Sequence, residues 1–244
     1  MQEENKKQHR HIDSFNPDVT SLEKAYQDYF VELKKFTAGE EYLNFNEFIS
    51  EDAIEYQETG DGVSYIVWNV FYDEQDRELF REIVAYYTLA ATSIPYEDRI
   101  RLDDLEAEEL GKEFDIEICG ISALEIKMFA VDEKYQNIFY EYAEEDLPIS
   151  AWVMKSIIQH ANEMSGAILG FKAILLHSVP EARSFYEKNG FNLVTVNMKP
   201  LHCLDSEFES MYLALREIHM NSKEILYLIF DYPHKHYTFK HFEI

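Results

Sequence analysis

The order in which residue periods change between Ala123 and Phe191 constrains this chain more than any other feature. Ala123–Val131 (ALEIKMFAV) reads as a strand, with Leu124, Ile126, Met128 and Ala130 on one face because alternate residues of a strand share a side. Pro148–Met164 switches to helical spacing: Ile149, Val153, Ile157 and Ala161 recur at i,i+4, and Pro148 suits a helix start. Gly170 then introduces Phe171–His177 (FKAILLH), a near-continuous apolar run that fits a strand in the middle of a sheet. Ser178, Pro180 and Glu181 form a capping-box helix start, and Asn189-Gly190 a stop. Strand, helix, strand, helix in this order predicts an α/β domain.

Upstream, Leu22, Tyr26, Tyr29, Leu33 and Phe36 lie on one helical face over 20–36, with Thr20 and Glu23 as a capping box. A second, shorter helix is expected over 46–53, then a turn at Gly60-Asp61-Gly62. Val63–Tyr72 (VSYIVWNVFY) and Glu82–Ile94 (EIVAYYTLAATSI) read as neighbouring antiparallel strands. The 96–117 stretch carries ten acidic residues against three basic ones and reads as a solvated excursion, and 132–147 reads as a loop. Strands at 191–197 and 211–218 close the domain. With no repeat and no low-complexity linker, the simplest organisation is an N-terminal segment 1–19, one domain over 20–218 and an extension over 219–244. The apolar run Ile225–Phe230 predicts that this extension packs on the domain or on a second subunit of a homodimer.

The chain has 244 residues, 46% of them hydrophobic, which is too apolar for a disordered protein. Its formal charge of −25 opposes phosphate backbones and anionic lipid headgroups, so neither nucleic acid nor a membrane is an expected partner; the acidity serves solubility first, and among substrates it suits a cationic one. Two cysteines are too few for a disulfide framework or a cysteine zinc site. They fit a reducing cytoplasm, as does the lack of an apolar core in Met1–His11 that could act as a signal. His234-x-His236 would place two imidazoles on one side of a strand, but surface histidines of a tail explain it better, and no metal is expected.

The order of elements and three segments together resemble the GNAT family of N-acetyltransferases. Ser178–Phe191 (SVPEARSFYEKNGF) is similar to the family's closing A-x-x-F-Y-x-x-x-G-F helix, with Ala182, Phe185, Tyr186, Gly190 and Phe191 in register. Leu124–Gln136 (LEIKMFAVDEKYQ) looks like its central strand and the start of its acetyl-CoA loop. Val84–Ile94 resembles the preceding strand in the branch that includes acetyltransferase toxins of toxin–antitoxin pairs. The resemblance implies an α/β fold with a mixed central sheet, splayed between the strands at 124–131 and 171–177 and flanked by helices. Acetyl-CoA would enter the splay as co-substrate. Its pantetheine arm would lie along the open backbone of Met128, Phe129, Ala130 and Val131, an interaction that needs free N–H and C=O groups.

By the same resemblance, Tyr186 is the acid that protonates the departing thiolate, and Phe185 borders the cofactor or belongs to the core. A primary amine, such as a small cationic amine, a polyamine or a protein amine, would attack the thioester directly, and its proton must be taken up. Glu125 and His177 are the candidates for that base. Equally, Glu125 can be an outward carboxylate and His177 a hydrogen-bonded strand-end residue. The family's Q/R-x-x-G-x-G/A loop is altered: Tyr135-Gln136 is in place, but Asn137 to Tyr142 (NIFYEY) contains neither glycine, and Glu144-Glu145-Asp146 follows. Gln136, kept from that loop, is a cofactor-binding candidate; either the diphosphate cradle is rebuilt from the N–H groups of Ile149, Ser150 and Ala151 at the helix start, or the fold serves as a non-catalytic binding module.

Overall fold

The computed structural model describes residues 10–142, 145–195, 198 and 207–216. In chain order the strands are β1 (Arg10–His11), β2 (Pro17–Ser21), β3 (Val63–Tyr72), β4 (Glu78–Arg101), β5 (Phe114–Val131), β6 (Ile138–Tyr142), β7 (Glu145–Pro148), β8 (Ala173–Ser178), β9 (Asn192–Leu193) and β10 (Glu209–Ala214). The α-helices are α1 (Leu22–Asp28), α2 (Phe30–Leu33), α3 (Leu43–Glu47), α4 (Ala53–Glu58), α5 (Asp104–Leu110), α6 (Ile149–Met164) and α7 (Arg183–Lys188). Seven strands form the main mixed sheet in the order β2-β3-β4-β5-β8-β10-β9, and β1-β6-β7 form a second, small one. Among the described residues no helix is long and apolar enough to cross a membrane.

Both faces of the main sheet are covered. Val153, Met154, Ile157 and Ala161 of α6 bury one face against Leu124, Ile126, Ile174 and Leu176, with Phe185 and Tyr186 of α7 packed alongside. On the other face, Leu22, Ala25, Leu33, Ile49 and Ala53 from α1 to α4 cover Ile66, Trp68 and Tyr86. A third cluster, including Ile94, Ile121, Leu175 and Tyr212, lies under the β8–β10 half.

The main sheet begins at Pro17 rather than at 20, because Pro17–Ser21 pairs antiparallel with Tyr65–Asn69. Thr20 is therefore a strand residue whose Oγ1 accepts the indole N–H of buried Trp68 at 2.8 Å, and the helix cap falls to Ser21. The expected 20–36 helix is broken at Tyr29 (φ −137°), whose ring packs on Trp68 at 5.2 Å under the Arg81 guanidinium at 4.3 Å. The second helical stretch runs from Leu43 through a π-helical turn at Phe48–Asp52 to Glu58, longer than the expected 46–53. Ser178 ends β8 instead of capping a helix: a 3₁₀ turn, Pro180–Ala182, comes before α7, and Gly190 (φ +90°) ends that segment.

The largest departure from the sequence reading is at 96–117. In place of a solvated excursion, β4 and β5 stay paired from Ala85↔Val131 to Arg101↔Phe114 and project as a two-stranded arm. The tip is α5, whose first turn donates Leu105 and Glu106 N–H groups to Asp103 at 3.0 and 2.9 Å. Phe114, Ile116 and Ile118 line one side of the arm and are exposed, Ile118 at 75%. Ladder hydrogen bonds rather than burial hold this arm together.

Residues 138–142 and 145–148 are likewise not a loop. Phe139 pairs with Pro148 and Tyr140 with Leu147, while Arg10–His11 add to the outer edge in parallel. Phe15 ties this sheet to α6, meeting Tyr140 edge-on at 5.7 Å and Trp152 at 5.0 Å. Among the described residues the strand expected over 191–197 holds Asn192–Leu193, and the one expected from Met211 begins at Glu209. The 219–244 extension, with His234, His236 and the run at 225–230, lies outside the described residues.

Candidate active site

The site is built on one irregularity. Thr88 pairs with Met128 and Leu89 with Ile126, so Lys127 is an extra residue in β5, a bulge. The bulge reverses the alternation of the strand. Leu124 and Ile126 face α6, but beyond Lys127 it is Phe129 and Val131 that face α6, while Met128 and Ala130 turn to the opposite core. The single face expected for Leu124, Ile126, Met128 and Ala130 is corrected accordingly, since one added residue shifts every later side chain to the other side.

At the same bulge the sheet opens. β5 and β8 pair in parallel from Ala123↔Ala173 to Ile126↔Leu176 and no further. From Met128 to Val131, β5 is bonded to β4 on one side, and no described strand pairs with the other. The splay expected between these two strands is present. Phe185 of α7 stands over it, stacked on Phe129 with centroids 6.1 Å apart and rings 11° from parallel. The far end of the open edge is tied: the Gln136 amide donates to Val131 O and to Ala38 O, both at 2.9 Å. Asp132 braces the same corner, accepting N–H groups from Thr37 at 3.1 Å and Lys134 at 3.0 Å. Burial raises the Asp132 carboxyl above the ordinary range despite these donors.

Glu125 and His177 come together where the strands part. Glu125 is buried, 2% exposed, on the face away from α6. Its Oε2 lies 2.9 Å from Lys127 Nζ and its Oε1 3.6 Å from His177 Nε2. His177 Nδ1 is 3.0 Å from Ser210 Oγ on β10. Lysine, carboxylate, imidazole and hydroxyl thus form a row across β5, β8 and β10. Tyr56 of α4 borders it: burial raises its phenol pKa, the Lys127 charge lowers it, and the Asp61 and Glu125 charges raise it. Of the two readings of Glu125, the outward solvated carboxylate is ruled out by its burial. Lys127, Ser210 and Tyr56 were not among the sequence candidates. The i,i+2 spacing of Glu125 and Lys127 on one strand was the only signal for any of them.

Tyr186 lies across the splay on α7. Its ring meets Phe185 edge-on at 5.2 Å and Phe191 at 5.9 Å. Burial pushes its phenol up to about 12, so it stays a proton donor through the neutral range. The first turn of α6 holds Ile149, Ser150 and Ala151, with Pro148 as N-cap and no side chain capping it. Ile149 is buried, and Ser150 and Ala151 are half-buried. Among the acids of the altered loop, Asp146 is engaged by His11, whose Nε2 lies 3.1 Å from both carboxylate oxygens.

A splayed mixed sheet with a bulged central strand, a crossover helix and a closing aromatic helix defines the GNAT fold, and this chain has it. No family model and no curated protein matches the sequence. Solved structures do match. A tyrosine-to-phenylalanine mutant of the toxin AtaT is 16% identical, with 83% of this chain and 91% of that chain covered and a TM-score of 0.52. AtaTR bound with AcCoA is 16% identical over 84% of this chain and 95% of that one, TM-score 0.52. AtaT complexed with acetyl-methionyl-tRNAfMet is 16% identical over 82% and 95%, also at TM-score 0.52. The expectation that nucleic acid is no partner draws no support from these neighbours.

Proposed function

We propose that this protein is an acetyltransferase that moves the acetyl group of acetyl-CoA to a primary amine by direct attack in a ternary complex. The observation that carries the reading is the open edge of β5 from Met128 to Val131, flanked by the Glu125–His177 pair on one side and by Tyr186 on the other. In this reading the backbone of Met128, Phe129, Ala130 and Val131 binds the pantetheine arm as an added strand. The uncapped first turn of α6 receives the diphosphate through Ile149, Ser150 and Ala151, where the helix dipole favours an anion. Gln136 contributes by fixing the corner between them. Phe185 walls the cleft, Glu125 takes the amine proton directly or through His177, and Tyr186 protonates the thiolate.

The charge of −25 favours a cationic acceptor, a polyamine or a basic protein amine. The AtaT complex brings a second acceptor into the same chemistry, the α-amine of an amino acid carried on tRNA. Calorimetry with CoA, followed by thiol release from acetyl-CoA in the presence of spermidine, a lysine-rich peptide or methionyl-tRNA, separates these. An absence of CoA binding would leave the second reading, a non-catalytic binding module, which the glycine-free 137–142 segment favours.

A further inference from the structure

The amine nearest to the base is the protein's own. Lys127 is the bulged residue, directly before the backbone edge that would hold the cofactor. Its Nζ is 2.9 Å from the buried Glu125 carboxylate, and its side chain is 25% exposed, so it is neither sealed in the core nor loose on the surface. An amine held against a proton acceptor beside the acyl donor is what the reaction asks of an external acceptor. We infer that Lys127 is itself an acetylation site, modified in cis by acetyl-CoA bound in the splay. The inference rests on the proposed acetyl-CoA reading of that cleft.

The step balances without any further reactant. The Lys127 ammonium gives one proton to Glu125, and the neutral amine attacks the thioester carbonyl. The new N–C bond forms as the C–S bond breaks. The tetrahedral nitrogen sheds a second proton. One of the two protons is matched by the one Tyr186 supplies to the CoA thiolate, and the other leaves to solvent. The products are Nε-acetyl-Lys127 and CoA. The modification removes the cation that neutralises Glu125, so the acetylated chain differs from the free one at its base and not only on its surface.

The test uses the full chain and acetyl-CoA with no amine added, followed by intact mass and peptide mapping. Addition of a single acetyl group, located on Lys127, is expected, with a first-order rate independent of protein concentration because the donor and acceptor share one chain. Lys127→Arg should abolish that label while still giving heat with CoA, and Glu125→Gln should slow it about 10²-fold. An unmodified Lys127 in a chain that gives heat with CoA overturns the inference and leaves the acetyl-CoA reading standing. So does label spread evenly over the lysines. No heat with CoA from the wild-type chain removes both together.

Discussion

Glu125 Oε1 lies 3.6 Å from His177 Nε2 at the point where β5 and β8 separate, a distance longer than a hydrogen bond but short enough for each group to feel the other's charge. The two residues are fifty-two positions apart in sequence and meet only because their strands are parallel and in register, Glu125 opposite Leu175. Replacing Glu125 by Gln keeps the shape and removes the proposed proton acceptor. Acetyl transfer should fall by about 10²- to 10³-fold while the affinity for CoA is retained, as read by steady-state thiol release and calorimetry.

For Tyr186 the sign of the pH effect is fixed by its environment. Burial raises its phenol from the ordinary value near 10 to about 12, so the stability gained by keeping it neutral is complete below pH 10 and is lost as pH climbs toward 12. Tyr186→Phe should therefore flatten part of the alkaline limb of the unfolding curve. The same variant should reduce turnover by about 10²-fold near neutrality, the low end for a general acid because water is an alternative donor. An unchanged alkaline limb would mean that the phenol is not buried in solution.

Much of the fold is legible in the sequence. Helical spacing locates α6, β-branched and aromatic enrichment locates β3, and a continuous apolar run locates β8, each nearly to the residue, because burial leaves such patterns in sequence. The A-x-x-F-Y-x-x-x-G-F segment located α7. What was not legible lacks that pattern. The arm at 96–117 is held by backbone ladder bonds with Ile100, Leu105, Leu110, Phe114 and Ile116 exposed, so its composition resembles a loop. The Lys127 bulge is invisible because inserting one residue into a strand needs no special residue type. Glu125 and His177 were recognised singly, but their pairing with Lys127 and Ser210 depends on that bulge and on the register of three strands.

Thr20 provides a test of the corrected N-terminal boundary. Its hydroxyl is the partner of the buried Trp68 indole N–H at 2.8 Å. Thr20→Val keeps the shape but strands that donor, and should cost about 1–3 kcal/mol in chemical denaturation with an unchanged m-value. A loss near zero would place Thr20 outside the sheet, as the sequence alone suggested.

His160 of α6 marks the acid side. Its Nδ1 is 3.2 Å from the Tyr87 hydroxyl and its ring meets Tyr65 edge-on at 5.0 Å. Burial lowers its pKa below the ordinary 6.5, partly opposed by Glu163. The neutral ring's contribution is thus present above about pH 6.5 and is lost as pH falls through the lowered value. Stability followed from about pH 8 to 5 should decline on that account in the wild type and decline less in His160→Leu.

The sheet order carries a consequence for how the molecule assembles. β3, β4 and β5 follow one another as antiparallel neighbours, so this half can zip with little loop-closure cost, whereas β8 joins only after β6, β7 and α6 are in place. Pulsed hydrogen exchange during refolding should protect Tyr86 and Met128 amides before Leu175. The cleft has one wall from each half, so it does not exist in any form until the slow, long-range pairing is made. A nascent chain of this kind acquires the open β5 edge early and the candidate cleft last.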